Sequence, residues 1–285
     1  MIEDIRSTIL TALKEDIGTG DITTEATIQE LVFGKGIFLV KDDGIIAGLD
    51  IAEQVFKTVD KELVLLKSRK DGEVVKNGEI VAIVEGSAAS ILTAERTALN
   101  FLQRMSGIAT MASQFKDQVK HTKAKIIDTR KTVPGLRILD KIAVKIGGCE
   151  NHRVGLYDRF LIKDNHIAVA GSITKAVKAC RIYRDLKSKN FLIEVETTNF
   201  SEVTEALHSG ADIIMLDNFE LDEMTKAVRL INGKCKVEAS GGVNIYTVKI
   251  IAETGVDFIS VGALTHSVKA LDISLEVQLN RTHAR

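Results

Sequence analysis

The chain has 285 residues, with 38 Lys+Arg against 39 Asp+Glu for a net charge of −1, 5% aromatic residues, no Trp, one Pro and three Cys. That balance argues against a broad basic face for nucleic acid, and no run of 18 apolar residues is present to span a bilayer. The start, MIEDIRSTILTALKED, has no basic region followed by an uninterrupted apolar one, so no signal peptide is read. Three scattered cysteines without C-x-x-C spacing predict a reducing, cytoplasmic compartment with no disulfides and no zinc.

In chain order, helical periodicity from Ile2 to Glu15 ends at Gly18 and Gly20, before the turn or cap residue Asp21. Residues 36–40 and 45–47 flank Asp42-Asp43-Gly44 and predict a hairpin. Residues 49–59 look helical, 63–66 and 80–84 strand-like. Residues 88–119 form a helix with Ile91, Leu92, Ala98, Leu99, Leu102 and Met105 on its apolar side and Arg96, Asn100 and Gln103 opposite. These elements predict an α+β domain over 1–112 with an antiparallel sheet. From Lys125 six apolar strand-like runs (126–128, 160–163, 191–196, 213–217, 237–240 and 258–262) alternate with helical segments, the clearest at 172–186, 201–209, 220–231 and 244–253. Such alternation means βα units and a parallel sheet. Six units in so short a length predict an incomplete α/β barrel over 113–267 rather than a full one. The alternating tail Ile273, Leu275, Val277, Leu279 suits a strand within 268–285 that returns to the first domain.

Each barrel strand ends in a polar residue or glycine, and strand carboxyl ends carry the site in such folds. The stretch from Asp128 to His166 holds eight Lys/Arg against five Asp/Glu, an excess of +3 in a slightly acidic chain. Arg130, Lys131, His152, Arg153 and Lys163 come from separate loops and strand ends; grouping them is costly without an anion, so a small polyanion is expected there. Arg137, Lys141 and Lys145 recur at helical spacing and read as a solvated basic face. ASGGVN (239–244) and VGALTH (261–266) each place glycine between a strand and a helix, as phosphate-binding turns do, although tight turns alone would also use them. Glu196 and Asp217 close adjacent strands and could share Mg2+; Glu194 faces the same way as Glu196 by period two and stays open as the ligand. By periodicity Arg96 is an ordinary solvent-facing residue, and Cys149 reads as a buried or incidental thiol.

The segments EDIGTGDIT, ERTALNFLQRMSGIAT, DTRKTVPGLR, GGCENHRVGLYDRFLIKDNH, IEVE, MLDN, ASGG and VGALTH, in this order, resemble quinolinate phosphoribosyltransferase, a type II phosphoribosyltransferase, nearly end to end. The resemblance implies an N-terminal α+β domain, an incomplete barrel and a homodimer with shared active sites. It also implies phosphoribosyl transfer from phosphoribosyl pyrophosphate to quinolinate with loss of CO2, giving nicotinate mononucleotide for NAD biosynthesis. Carried onto this chain, Arg130, His152, Arg153 and Lys163 would grip the two ring carboxylates, joined by Arg96 from the other subunit. Lys131 would face the pyrophosphate, while Glu196, which the pattern favours over Glu194, and Asp217 would hold the ribose and Mg2+. Ser240, Gly241, Gly242 and Gly262 would cradle the 5-phosphate near His266. Two departures stand out: Cys149 replaces a usual third glycine, which would strain it if φ were positive there, and Val133 replaces a common threonine.

Rival expectations are a same-fold phosphoribosyltransferase with another acid, molybdenum-linked or nicotinate-using; an aldolase barrel with Lys163 as Schiff-base nucleophile; and a non-catalytic RNA-binding module. Four cations plus Arg96 are too many for one carboxylate, and the charge and aromatic content disfavour RNA.

Overall fold

A computed structural model describes residues 2–28 and 30–279. Helix α1 (Ile2–Ile17) ends where Gly18 turns to φ +57°, and Asp21 caps α2 (Ile22–Thr27). The Asp21 carboxylate accepts from the Thr24 hydroxyl at 2.6 Å and its N–H at 3.0 Å, which holds it below the usual carboxylate range. Then come β1 (Phe33–Val40), β2 (Gly44–Ile45), α3 (Leu49–Val59), β3 (Val64–Lys67), β4 (Val74–Val75), β5 (Ile80–Ser87) and α4 (Ala88–Val119). From β6 (Lys125–Ile127) the chain continues through α5 (Arg137–Ile146), β7 (Phe160–Ile162), α6 (Asp164–Ala170) and α7 (Ile173–Leu186). Next are β8 (Ile193–Thr197), α8 (Phe200–Ser209), β9 (Ile213–Asp217), α9 (Leu221–Ile231), β10 (Lys236–Ser240), α10 (Val248–Glu253), β11 (Phe258–Ser260), α11 (Ala263–His266) and β12 (Ile273–Leu279).

Two compact units result. One takes the described residues up to Ser113, Val133–Gly148 and those from Ser267 onward; the other takes Gln114–Thr132 and Cys149–His266. Val133–Gly148, inside the range read from sequence as barrel, therefore packs with the first unit.

The first unit is built on an antiparallel sheet of order β12-β1-β5-β3. β1 buries every second residue from Gly34 to Val40, the pattern of a strand with one face on a core. On that face Phe38 meets Phe56 of α3 edge to face, with ring centroids 5.9 Å apart. The predicted hairpin at Asp42-Asp43-Gly44 does not form: β1 pairs with β5 and β12, while β2 pairs with β4. The reversal signal was sound but could not name the partner, and Asp43 instead accepts from the Asn77 N–H of the next turn at 2.9 Å. The C-terminal strand is the outer neighbour of β1; the last residues of the expected returning tail, 280–285, lie outside the described residues. Gln103 of α4, read as solvent-facing, donates to the Ile273 carbonyl at 2.6 Å, and Leu92, read as apolar-side, is 37% exposed.

Lys141 corrects another expectation. It is buried rather than solvated, as is its neighbour Asp140, because α5 lays this part of its circumference against the first unit. Asp140 is fully buried and accepts two hydrogen bonds from the Arg104 guanidinium, at 2.9 and 2.8 Å. Removing one partner of such a pair leaves an uncompensated charge, so Asp140→Asn should lower unfolding stability by about 3–5 kcal/mol, read from urea melts.

The second unit is an all-parallel sheet of order β6-β11-β10-β9-β8-β7. This is the strand order of a barrel cut open between its first and second strands, an incomplete α/β barrel. A single parallel bridge from Ile127 to Glu150 lies on the free edge of β6. The connecting helices carry their own stops: Ser172 and Asn199 cap α7 and α8 through N–H bonds of 3.1 and 3.0 Å, and Gly171, Gly210 and Asn232 end α6, α8 and α9 in the left-handed conformation. One expected start moves. Asn244 does not begin a helix but accepts from the Tyr246 and Thr247 N–H groups, and α10 starts only at Val248. Among the described residues no helix is long and apolar enough to cross a membrane.

Candidate active site

Alternate residues of a barrel strand point inward, in successive layers. At the carboxyl ends of this sheet that rule brings Leu161 and Lys163, Glu196, Met215 and Asp217, and Glu238 and Ser240 to the wall of one cavity of about 670 Å3. Thr129, Arg130 and Lys131 from the loop after β6, His152 and Arg153, Asn218, Gly241, Gly242 and Ser260 complete its lining.

The loops are pinned by hydrogen bonds rather than left to float. The Lys131 N–H donates to Thr129 Oγ1 at 3.0 Å, and its carbonyl accepts from the Thr265 hydroxyl at 2.8 Å. Asp128, fully buried at the end of β6, accepts from the His152 N–H at 2.8 Å. The Asp158 carboxylate takes the Val154 and Gly155 N–H groups at 2.7 and 3.0 Å, closing the turn after Arg153. Lys163 has its N–H held by His166 Nδ1 at 3.0 Å, and its ammonium is paired with the Glu196 carboxylate. Gly241 (φ +94°) and Gly242 (φ +61°) make the turn after β10, and a Cβ on Gly241 would collide with the Asn218 side chain. Asn218 is itself left-handed at φ +56°; its N–H donates to the Ser240 carbonyl at 2.9 Å and its Nδ2 to Asp217 at 3.0 Å.

The electrostatics favour an anion. Arg153 is only 9% exposed, and burial and the neighbouring Arg130 both pull its guanidinium below the ordinary arginine range, with Glu194 opposing. Such crowding is relieved by bound negative charge.

At the floor of the cavity lies a buried group, of which His152 and Glu238 belong to the lining and Glu194 does not. The Arg153 N–H donates to His152 Nδ1 at 2.7 Å, which assigns the ring proton to Nε2, facing Glu194 Oε2 at 2.9 Å and Glu238 Oε2 at 3.7 Å. Arg159 stands 3.4 Å from the same Glu194 oxygen. Glu194 and Glu238 are both fully buried. Burial would raise Glu194, but the hydrogen bond from His152 and the charge of Arg159 outweigh it and hold the carboxyl below its usual range. Glu238, buried with Glu194's charge beside it, is pushed well above. Among the described residues, the ligand atoms of these three lie close enough together to hold a metal ion.

The structure thus gathers Arg130, Lys131, His152, Arg153, Lys163, Glu196, Asp217, Ser240, Gly241 and Gly242 around one cavity. Gly262 and His266 are not part of its lining; a Cβ on Gly262 would sit 3.1 Å from Lys131 Cδ and from the His266 ring, so they back the lysine loop. Arg96 is exposed on α4 in the other unit and does not line the cavity. Glu194 and Glu196 share a strand face but differ in depth: Glu196 reaches the cavity and Glu194 does not. Thr129, Asn218, Glu238 and Ser260 escaped the sequence reading, although counting back two positions from Ser240 points to Glu238. Cys149 does not have positive φ, so the feared strain is absent; Gly148 takes that conformation at φ +88°. Burial pushes the Cys149 thiol up to about 12, too high for a nucleophile.

Two family models cover most of the chain: the quinolinate phosphoribosyl transferase N-terminal domain matches residues 21–106 and the C-terminal domain residues 108–276. The chain belongs to the quinolinate phosphoribosyl transferase family. Among relatives of this quinolinate phosphoribosyl transferase family member, the chloroplastic nicotinate-nucleotide pyrophosphorylase (carboxylating) of Arabidopsis thaliana is 47% identical over 96% of this chain and 83% of its own. A probable enzyme of the same name from Bacillus subtilis is 44% identical over 93% and 91%. The solved nicotinate-nucleotide pyrophosphorylase of Francisella tularensis superposes with a TM-score of 0.91 at 41% identity, over 97% of this chain and 96% of that one. Human nicotinic acid phosphoribosyltransferase, 10% identical over 96% of this chain and 73% of its own with a TM-score of 0.62, shares the fold alone.

Proposed function

We propose that the chain joins the nitrogen of quinolinate to the anomeric carbon of phosphoribosyl pyrophosphate, releasing pyrophosphate and then CO2 to give nicotinate mononucleotide in de novo NAD biosynthesis. The observation that carries this is the convergence of Arg130, Lys131, Arg153 and Lys163 on one cavity that also holds two strand-end acids and a glycine turn, in a chain of this family. Two carboxylates on one ring and a pyrophosphate need that many cations; nicotinate, with one carboxylate, does not, which disfavours the nicotinate-using alternative.

Arg130, Arg153 and Lys163 hold the ring carboxylates, with His152 fixed beside them. Lys131 meets the leaving pyrophosphate, and Ser240, Gly241 and Gly242 offer backbone N–H groups to the 5-phosphate, backed by Gly262 and His266. Glu196 and Asp217 lie beside the ribose, where negative charge favours the positive charge that develops at the anomeric carbon. Hard carboxylate oxygens at the ends of neighbouring strands fit Mg2+, which is held through one or two carboxylates plus substrate phosphates; bound there, it would stabilise the departing pyrophosphate. The alkylated ring nitrogen then serves as the electron sink for loss of the adjacent carboxylate. Positioning is the protein's main contribution.

The working form is a homodimer in which Arg96 of one protomer completes the carboxylate grip of its partner; its exposure on α4 and its absence from the cavity lining support that role. Three free cysteines are in keeping with a reducing, cytoplasmic setting. Incubation with phosphoribosyl pyrophosphate and Mg2+ tests the reading: quinolinate should give pyrophosphate and nicotinate mononucleotide, and EDTA should stop it. Product from nicotinate with none from quinolinate would overturn it.

A further inference from the structure

We propose that Thr265 is a positioning residue for Lys131, holding its backbone so that the ammonium is already aimed when the pyrophosphate has to leave. The inference rests on the reaction proposed above, which gives Lys131 to that pyrophosphate. It adds a residue that is not part of the cavity lining.

β6 and β11 are neighbours in the parallel sheet, so the loops that follow them leave the same end of it side by side. The Val261 N–H donates to the Ile127 carbonyl at 2.9 Å and carries the pairing one residue past β11. Beyond that point the two loops differ. After Val261 the chain closes at once into α11, where the Thr265 and His266 N–H groups both donate to the Gly262 carbonyl at 3.1 Å. Lys131 instead lies in irregular backbone and is exposed. A lysine on such a loop has freedom in both backbone and side chain, and ordering it only when substrate arrives costs affinity.

Thr265 removes part of that freedom. It is only 1% exposed, and its hydroxyl donates to the Lys131 carbonyl at 2.8 Å, against 3.4 Å to the Gly262 carbonyl, so its proton serves chiefly the lysine loop. The Lys131 N–H is held by Thr129 Oγ1 at 3.0 Å, which leaves both backbone polar groups of this residue tied down. Its side chain is guided as well. A Cβ on Gly262 would come within 3.1 Å of Lys131 Cδ, so the glycine leaves the room that the lysine stem runs through. Carbonyl and stem are thus seated on one short segment, from Gly262 to Thr265. Threonine suits the task because its branched Cβ restricts χ1 and keeps the hydroxyl on its acceptor.

Thr265→Val keeps the volume and the branching and deletes the hydroxyl. With quinolinate saturating, kcat/KM for phosphoribosyl pyrophosphate should fall about ten- to 100-fold, the loss that comes with misplacing a catalytic group by up to about 1 Å. The KM for quinolinate should stay within about threefold, because Arg130 sits closer to the buried anchor Asp128. Thr265→Ser retains the donor and should recover to within about fivefold of the parent protein. In a Lys131→Met background Thr265→Val should cost less than about twofold more, since the lysine it serves is gone. Calorimetric titration with inorganic pyrophosphate repeats the cycle without turnover: Thr265→Val should weaken binding by about threefold or more in the parent protein and leave it level in Lys131→Met. An unchanged kcat/KM for Thr265→Val overturns the proposal. So does a loss that is equal for both substrates, that persists in Lys131→Met, or that Thr265→Ser fails to restore, since each marks a merely structural hydroxyl. Absence of pyrophosphate release by the parent protein would refute the underlying reaction instead, and the pyrophosphate titration would still decide whether Thr265 positions Lys131.

Discussion

Replacing Arg153 by methionine should lower kcat/KM for quinolinate by roughly thirty- to several-thousand-fold, while the melting temperature of the ligand-free protein stays level or rises. The first half follows from losing one partner of a desolvated charge contact, about 2–5 kcal/mol, at about 1.4 kcal/mol per decade. The second half follows from the site itself. Arg153 is buried with Arg130 beside it, so its charge is disfavoured in the free protein and is offset chiefly by Glu194 and by an incoming anion. A residue kept against its own electrostatics is kept for what it binds. Steady-state kinetics beside thermal melts separate the two effects; a large drop in melting temperature would make Arg153 a structural residue.

An equally large effect is expected from sharing between subunits. Arg96→Ala and Lys163→Ala should each abolish nearly all turnover as homodimers, yet mixing them should restore about one working site per heterodimer, because one of the two cavities then receives an intact Lys163 and an intact Arg96. Arg96 is exposed on α4 and Lys163 caps α6 at the cavity wall, so the two losses fall on different compact units of the chain. Heterodimers verified by two affinity tags that show no recovery would place Arg96 outside the site.

Much of this was legible in the residues because the signals were local. Strand ends such as Asp217 and Ser240 announce themselves by a polar residue closing an apolar run, and the βα alternation orders them around one sheet. Pairing partners are not local: nothing between Gly36 and Ala47 says that β1 will lie between β5 and β12, since those contacts join residues far apart in sequence. Depth is hidden as well. Period two shows that Glu194 and Glu196 share a face but not that one is sealed beneath the cavity and the other opens into it. Glu238 was missed for the same reason, because a lone acid within a strand reads as surface until the layer it occupies is known. Lys141 went wrong in the opposite direction: basic spacing on α5 suggested water, and the helix buries that flank. The role proposed for Arg96 rests on family resemblance, since helical periodicity marks it only as exposed.

The most direct test uses quinolinate labelled in its 2-carboxylate. Supplied with phosphoribosyl pyrophosphate and Mg2+, the protein should release labelled CO2, pyrophosphate and nicotinate mononucleotide in equal amounts, and only when phosphoribosyl pyrophosphate is present. Retention of the label in the product, or release of labelled CO2 without phosphoribosyl transfer, would contradict the assignment.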